Sequence, residues 1–252
     1  MIIDTHVHLG WDYTFDELFA QELLIDKMDN HCVDLQIVQP GTTHNLKDAM
    51  EQHDAIAELC KRYPGRFLGM AAPNPHLPGT EYEDEIARCC EKHGFVAIKL
   101  HTFASAVSPA SKAGHKVFEA ARKYRIPVMV HTGSGMPFAS PINLIGVARE
   151  YPDVNIIMAH CGSMLLADEA AAALAACENI YGDTSWTAGY LLKGWIKKYG
   201  HRFMLASDLG SNLGTELAKI GTYGFSEEEQ RYMLEATAIK VFGLDTGRYC
   251  NG

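Results

Sequence analysis

Ile2-Ile3-Asp4-Thr5-His6-Val7-His8, at the head of the chain, reads as a β-strand. Its β-branched residues favour extended backbone, and alternate side chains of a strand share a face. Asp4, His6 and His8 are therefore expected to point the same way. Two imidazoles two residues apart on a strand reach one cation, with metal–nitrogen bonds of about 2.0–2.1 Å for zinc. Taken alone, the pair reads equally as two incidental polar residues on a half-buried strand. Recurrence separates the two readings, because histidines or an aspartate close later segments of the same kind.

Eight short apolar, β-branched segments run through the chain: Ile2–His8, Leu35–Gln39, Phe67–Ala72, Phe95–His101, Pro127–His131, Asn155–His160, Ile180–Asp183 and Phe203–Asp208. Their starts lie about 29 residues apart on average, close to what one βα unit needs. Continuous apolar cores such as Val128-Met129-Val130 and Ile156-Ile157-Met158-Ala159 fit strands buried on both faces of a parallel sheet. The stretches between have helix ends. Asn45 caps one helix, Ser226 with Glu229 starts another, and Thr80 with Glu83 has the pattern of a capping box. These signs predict an α/β fold, a single compact (β/α)8 barrel of parallel strands over residues 1–252. An open doubly wound sheet is the runner-up, and it lacks the glycine-rich phosphate turn after its first strand.

With 252 residues and a net charge of −9, the chain carries no basic footprint for nucleic acid or anionic lipid. No apolar run reaches the 18 or so residues of a membrane helix. Its seven cysteines are odd in number and form no C-x-x-C pair. They are expected to be reduced thiols of a cytoplasmic protein. A small-molecule substrate is the expected partner, and homo-oligomerisation is left open.

Barrel enzymes gather their reactive groups at the C-terminal ends of the strands. Those ends offer His6 and His8, then Lys99 and His101, then His131, His160 and Asp208. Five of the 12 histidines fall there, a convergence far more specific than any single H-x-H.

At this density the chain resembles the amidohydrolase superfamily, in the amidohydrolase-related branch that also contains metal-dependent decarboxylases. The matching stretches are IIDTHVHLG, GFVAIKLH, IPVMVHTGSG, YPDVNIIMAHCG, YGDTSW, RFMLASDLGSN and AIKVFGL, in that order. The resemblance implies that His6, His8, His131 and Asp208 hold a divalent metal, with zinc as the default. Asp208 would also take a proton from water. His160 would stabilise an oxyanion, protonate a leaving group or ligate a second ion. Lys99 has three readings: an ammonium contact for a substrate anion, a carboxylated bridge between two metals, or a rim residue with its charge in water. The branch points to one ion, and to two if Lys99 is carboxylated.

Three functions follow. The leading one is a metal-dependent hydrolase of a small ester, lactone or amide. The alternative is non-oxidative decarboxylation of a small unsaturated or aromatic acid. A non-catalytic metal- or ligand-binding barrel comes third, against the completeness of the residue set. Asp4 is expected to orient a ligand imidazole. Trp11, Tyr13, Phe15, Phe138 and Trp186 would form an apolar wall or simply pack under loops. Gly133-Ser134-Gly135 is a permissive turn beside His131.

Overall fold

The computed structural model describes residues 1–245 and Gly247. Nine strands form one sheet: β1 (Ile3–Asp12), β2 (Glu17–Phe19), β3 (Leu35–Pro40), β4 (Phe67–Ala71), β5 (Ala97–Leu100), β6 (Val128–His131), β7 (Ile156–Ala159), β8 (Ile180–Asp183) and β9 (Phe203–Met204). Eight of them, β1 and β3 to β9, run parallel in chain order. Backbone hydrogen bonds between β1 and the stretch after β9 close the ring. Thr5 N–H donates to Leu205 O at 2.9 Å, Asp208 N–H to His6 O at 2.7 Å and His8 N–H to Asp208 O at 3.3 Å. The architecture is the (β/α)8 barrel that the segment spacing predicts.

Two features were not legible in that spacing. β2 turns back antiparallel on β1, pairing Phe19 with Gly10, and lays a hairpin beside the C-terminal end of the barrel. The eighth barrel strand keeps regular pairing only over Phe203–Met204, and its continuation to Asp208 is held by β1, by Thr184 and by Met233 O.

The first strand also departs from simple alternation. Asp4 opposes Gln36 of β3 and Val7 opposes Val38, so three steps on β1 meet two on β3. This bulge re-aims the strand between Asp4 and the histidines. Asp4 consequently orients no imidazole. Its carboxylate accepts from Ser207 N–H at 2.9 Å, Ser207 Oγ–H at 2.6 Å and Gln36 Nε2 at 3.0 Å. It thereby pins the residue before Asp208 to the barrel wall.

Inside the ring, Ile3, Leu35, Ile37, Met70, Met129 and Ile157 form a plug, closed by Ala238, Val241 and Phe242 of the C-terminal helix. A second, larger apolar layer lies between the sheet and its surrounding helices. The plug leaves only the C-terminal end of the ring for polar side chains.

The helices in order are α1 (Gln21–His31), α2 (Leu46–Arg62), α3 (Gly79–Ala87), α4 (Lys112–Tyr124), α5 (Asn143–Glu150), α6 (Ala167–Ala176), α7 (Gly189–Tyr199), α8 (Leu213–Thr222), α9 (Glu227–Arg231) and α10 (Thr237–Phe242). Asn45 caps α2 by accepting from Asp48 N–H, and Ser226 with Glu229 makes a full capping box on α9. The box expected of Thr80 and Glu83 does not form. Pro78, with its fixed φ, starts α3 ahead of Thr80 and places that hydroxyl inside the first turn.

A buried charge network ties α2, α3 and β4 together. Glu85 accepts from His53 Nδ1 at 2.6 Å and from Arg88 Nε at 2.7 Å, while His53 Nε2 accepts from Ala72 N–H at 2.9 Å. Burial alone would raise the Glu85 carboxyl, but Arg88 and His53 outweigh it and hold it at about 2, down from 4.5. A depressed carboxyl stabilises the fold above its unfolded value and loses that contribution as pH falls. Glu85→Gln should therefore cost roughly 1–3 kcal/mol at neutral pH. The gap in melting temperature from wild type should narrow as pH drops from 4.5 toward about 2. A gap that stays constant over that range would show that the charge contributes nothing.

Candidate active site

The residues singled out at the strand ends converge. A cavity of about 200 Å3 at the C-terminal end of the barrel is lined by His8, Lys99, His101, His131, His160 and Asp208, with His6 buried beneath. The β1–β2 hairpin supplies its outer wall through Phe15 and Phe19. The Phe19 ring lies 5.1 Å from that of His8. Trp186 belongs to the site in another way, described below, whereas Trp11 and Tyr13 are exposed.

The centre of the site is a meeting of acceptors. Asp208 Oδ1 lies 3.0 Å from His6 Nε2 and 3.4 Å from His8 Nε2. Each imidazole has its other nitrogen committed. His6 Nδ1 pairs with Asp183 Oδ2 at 2.7 Å, and His8 Nδ1 donates to Pro40 O at 3.1 Å. Both Nε2 atoms then face the same carboxylate oxygen, with Lys99 Nζ 3.0 Å from that of His6 and the Gln39 amide 2.6 Å from that of His8. Such a gathering of acceptors favours positive charge, part of which the Lys99 ammonium supplies, and the donor set fits a divalent cation. A ring nitrogen of His160 joins the group, since the ligand atoms of His6, His160 and Asp208 lie within 4.8 Å of one another.

His131 stands further out. Its ring stacks on His101 at 4.4 Å and lies 5.0 Å from that of His160, and its Nε2–H donates to Ser134 O at 2.8 Å. Gly133, at φ +110, lets this turn close, because a Cβ there would come 2.3 Å from Ser163 Oγ. Lys99 Nζ is 3.0 Å from His6 Nε2 and is buried.

The electrostatics follow from this crowding. Burial, before any neighbour, pushes His131 down to about 3 and His160 to about 4, and it lowers His8 as well. All three are neutral at physiological pH, the state that ligates metal. Burial also brings Lys99 down to about 8, with Asp208 and Asp183 pulling the other way. Burial alone would raise Asp208, but His160 and His6 overcome it and hold the carboxylate well below its usual range. His6 alone moves upward. Burial and Lys99 oppose its charge, and Asp208 and Asp183 outweigh them. Two carboxylates thus ask for more positive charge at that imidazole than a neutral ring supplies.

Asp183 is the residue that strand-end reasoning passed over, although it closes β8 as His131 closes β6. Its Oδ2 takes His6 Nδ1. Its Oδ1 accepts from His160 N–H at 2.8 Å and from Ser185 Oγ–H at 2.7 Å. Ser185 Oγ in turn accepts from His160 Nδ1 at 2.8 Å. One carboxylate therefore sets the tautomer of both rings, directly for His6 and through a serine for His160. Gln39, whose amide lies 2.6 Å from His8 Nε2, was also missed. Cys161 faces the core, hydrogen-bonded to Asp183 O at 3.3 Å, and burial keeps its thiol protonated.

Comparison with known proteins gives the family and the fold. The amidohydrolase family model matches residues 3–244. No curated protein matches the sequence. Among solved structures, 2,6-dihydroxybenzoate decarboxylase from Rhizobium is 17% identical with a TM-score of 0.81, covering 97% of this chain and 99% of that one. The 5-carboxyvanillate decarboxylase of Novosphingobium aromaticivorans, with bound manganese, is 17% identical with a TM-score of 0.78 and covers 97% of each chain. A probable 2-pyrone-4,6-dicarboxylic acid hydrolase from Acinetobacter baumannii is 15% identical with a TM-score of 0.67, covering 96% and 99%. At these identities the likeness is one of fold.

Asp183→Asn tests the tautomer argument. An amide has one acceptor oxygen where His6 and Ser185 need two, and it carries no charge. Zinc affinity, measured by competition with a chromophoric chelator, should fall about 10–100-fold while the circular dichroism spectrum is unchanged. Wild-type affinity in this variant would remove Asp183 from the site.

Proposed function

Because the chain belongs to the amidohydrolase family, we propose that its barrel mouth is a metal-dependent hydrolytic centre acting on a small ester, lactone or amide. The observation that carries this reading is Asp208 Oδ1 facing the Nε2 atoms of His6 and His8, whose Nδ1 atoms are committed to Asp183 and Pro40. His6, His8, His131 and Asp208 would hold one divalent ion, His131 by releasing Ser134 O. Zinc is the default for imidazole-rich ligation, and manganese tolerates the same set. When bound, the ion supplies Lewis acidity that acidifies water and polarises the bond under attack.

The chain's own residues do the rest. Asp208 stays ionised, so it accepts the proton of the attacking water. His160 donates Nδ1–H to Ser185 and is neutral, so its Nε2 is an acceptor. It orients the water and relays the proton toward the leaving group; an unprotonated nitrogen cannot donate to an oxyanion. Lys99 is predominantly an ammonium at pH 7 and meets the negative charge of the substrate. Phe15, Phe19 and His101 screen the cavity from bulk water. The setting proposed is cytoplasmic, a reading supported by six free thiols among the described residues. No helix among those residues is long and apolar enough to cross a membrane.

Decarboxylation of a small unsaturated or aromatic acid is the second reading, favoured by the named activities of two structures of similar fold. In that case Lys99 would anchor the departing carboxylate, and the Asp208–His160 pair would deliver the proton to carbon. A turnover screen over esters, lactones, amides and carboxylic acids, with and without chelator, separates the two. Release of carbon dioxide instead of hydrolysis products would replace the first reading by the second.

Asp208→Asn should fold as wild type and lose about 10²–10⁴-fold in turnover on any accepted substrate. Near-wild-type turnover by the metal-loaded variant would dismiss Asp208 as the base.

A further inference from the structure

Trp186 is mounted in a way that packing does not account for. Its side chain is 46% exposed, so little apolar burial holds it. Its backbone lies in the left-handed region at φ 57°, costly for a bulky residue. The loop that carries it is clamped from α8. Glu216 Oε1 accepts from Trp186 N–H at 3.3 Å, and Lys219 Nζ donates to Thr184 O at 2.7 Å and Thr187 O at 2.8 Å. Glu216 and Lys219 are themselves ion-paired at 2.5 Å. What the clamp presents to the site is the indole nitrogen, which donates to Asp208 Oδ2 at 2.7 Å. Asp208 is also in the left-handed region, at φ 64°.

We propose that Trp186 is a positioning residue for Asp208. The indole N–H holds Oδ2 and stops the carboxylate from rotating, so that Oδ1 is the oxygen turned to His6 and His8. Without this bond the two oxygens are equivalent by rotation. A merely covering aromatic ring would need no N–H and no directed contact. The inference rests on the reading of Asp208 as ligand and base, but the hydrogen bond is testable without it.

The chain has three tryptophans, so Trp11→Phe with Trp195→Phe leaves Trp186 as the only indole emitter. In that background and without metal, Asp208→Ala should shift Trp186 emission. Unchanged emission would overturn the contact and the proposal with it. In the second arm, Trp186→Phe keeps a ring of similar shape and removes only the donor. Its affinity for zinc alone should drop roughly tenfold or more, with metal-free melting close to wild type. Affinity within about twofold of wild type would overturn the positioning role. If the wild-type protein bound no zinc, the metal reading would fail by itself, and the emission comparison would still decide the Trp186–Asp208 contact.

Discussion

One buried carboxylate decides how this mouth is arranged. Asp183 gives one oxygen to the His6 ring and the other to the His160 amide and Ser185, which takes the His160 ring. A neutral imidazole has one donor and one acceptor nitrogen, so fixing the donor fixes the acceptor. Both rings then turn their Nε2 lone pairs inward. The centre gathers acceptors beside the Lys99 ammonium and suits a cation. Burial completes this by keeping His131 and His160 neutral.

The barrel supplies what Asp183 alone cannot, a fixed distance to Asp208. That residue comes from the last parallel segment, beyond its regular pairing with β8. It is placed by hydrogen bonds to β1 at His6 and His8, the two imidazoles it faces. Ring closure and site assembly are therefore one event. The Asp4–Ser207 bonds reinforce it from the outer side, and the left-handed backbone at Asp208 is carried by these surroundings.

Much of this was legible in the sequence, for stated reasons. Parallel strands buried on both faces leave unbroken apolar runs such as Ile156–Ala159, and polar residues that end such runs stand out. His6, His8, Lys99, His131, His160 and Asp208 stand out that way, and they gather at one cavity, with His6 beneath its floor. Features set by pairing or by rotation about a single bond left no such trace. The bulge after Asp4 depends on register against β3, and the strand β2 is only three residues long. Asp183 obeyed the strand-end rule but was read as part of a motif instead of as a side chain. The turn of His131 toward Ser134 O is a rotamer, which spacing cannot reveal. Pro78 displaced the cap expected at Thr80 by one short step along the helix.

The central claim is that His6 and Asp208 face one cation, beside an unmodified Lys99. Diffraction at the zinc absorption edge from zinc-loaded crystals addresses it most directly. The account predicts one anomalous peak within bonding reach of His6 Nε2 and Asp208 Oδ1, and plain lysine density at residue 99. Two peaks bridged by a carboxylated Lys99, or no peak at the mouth, would contradict it.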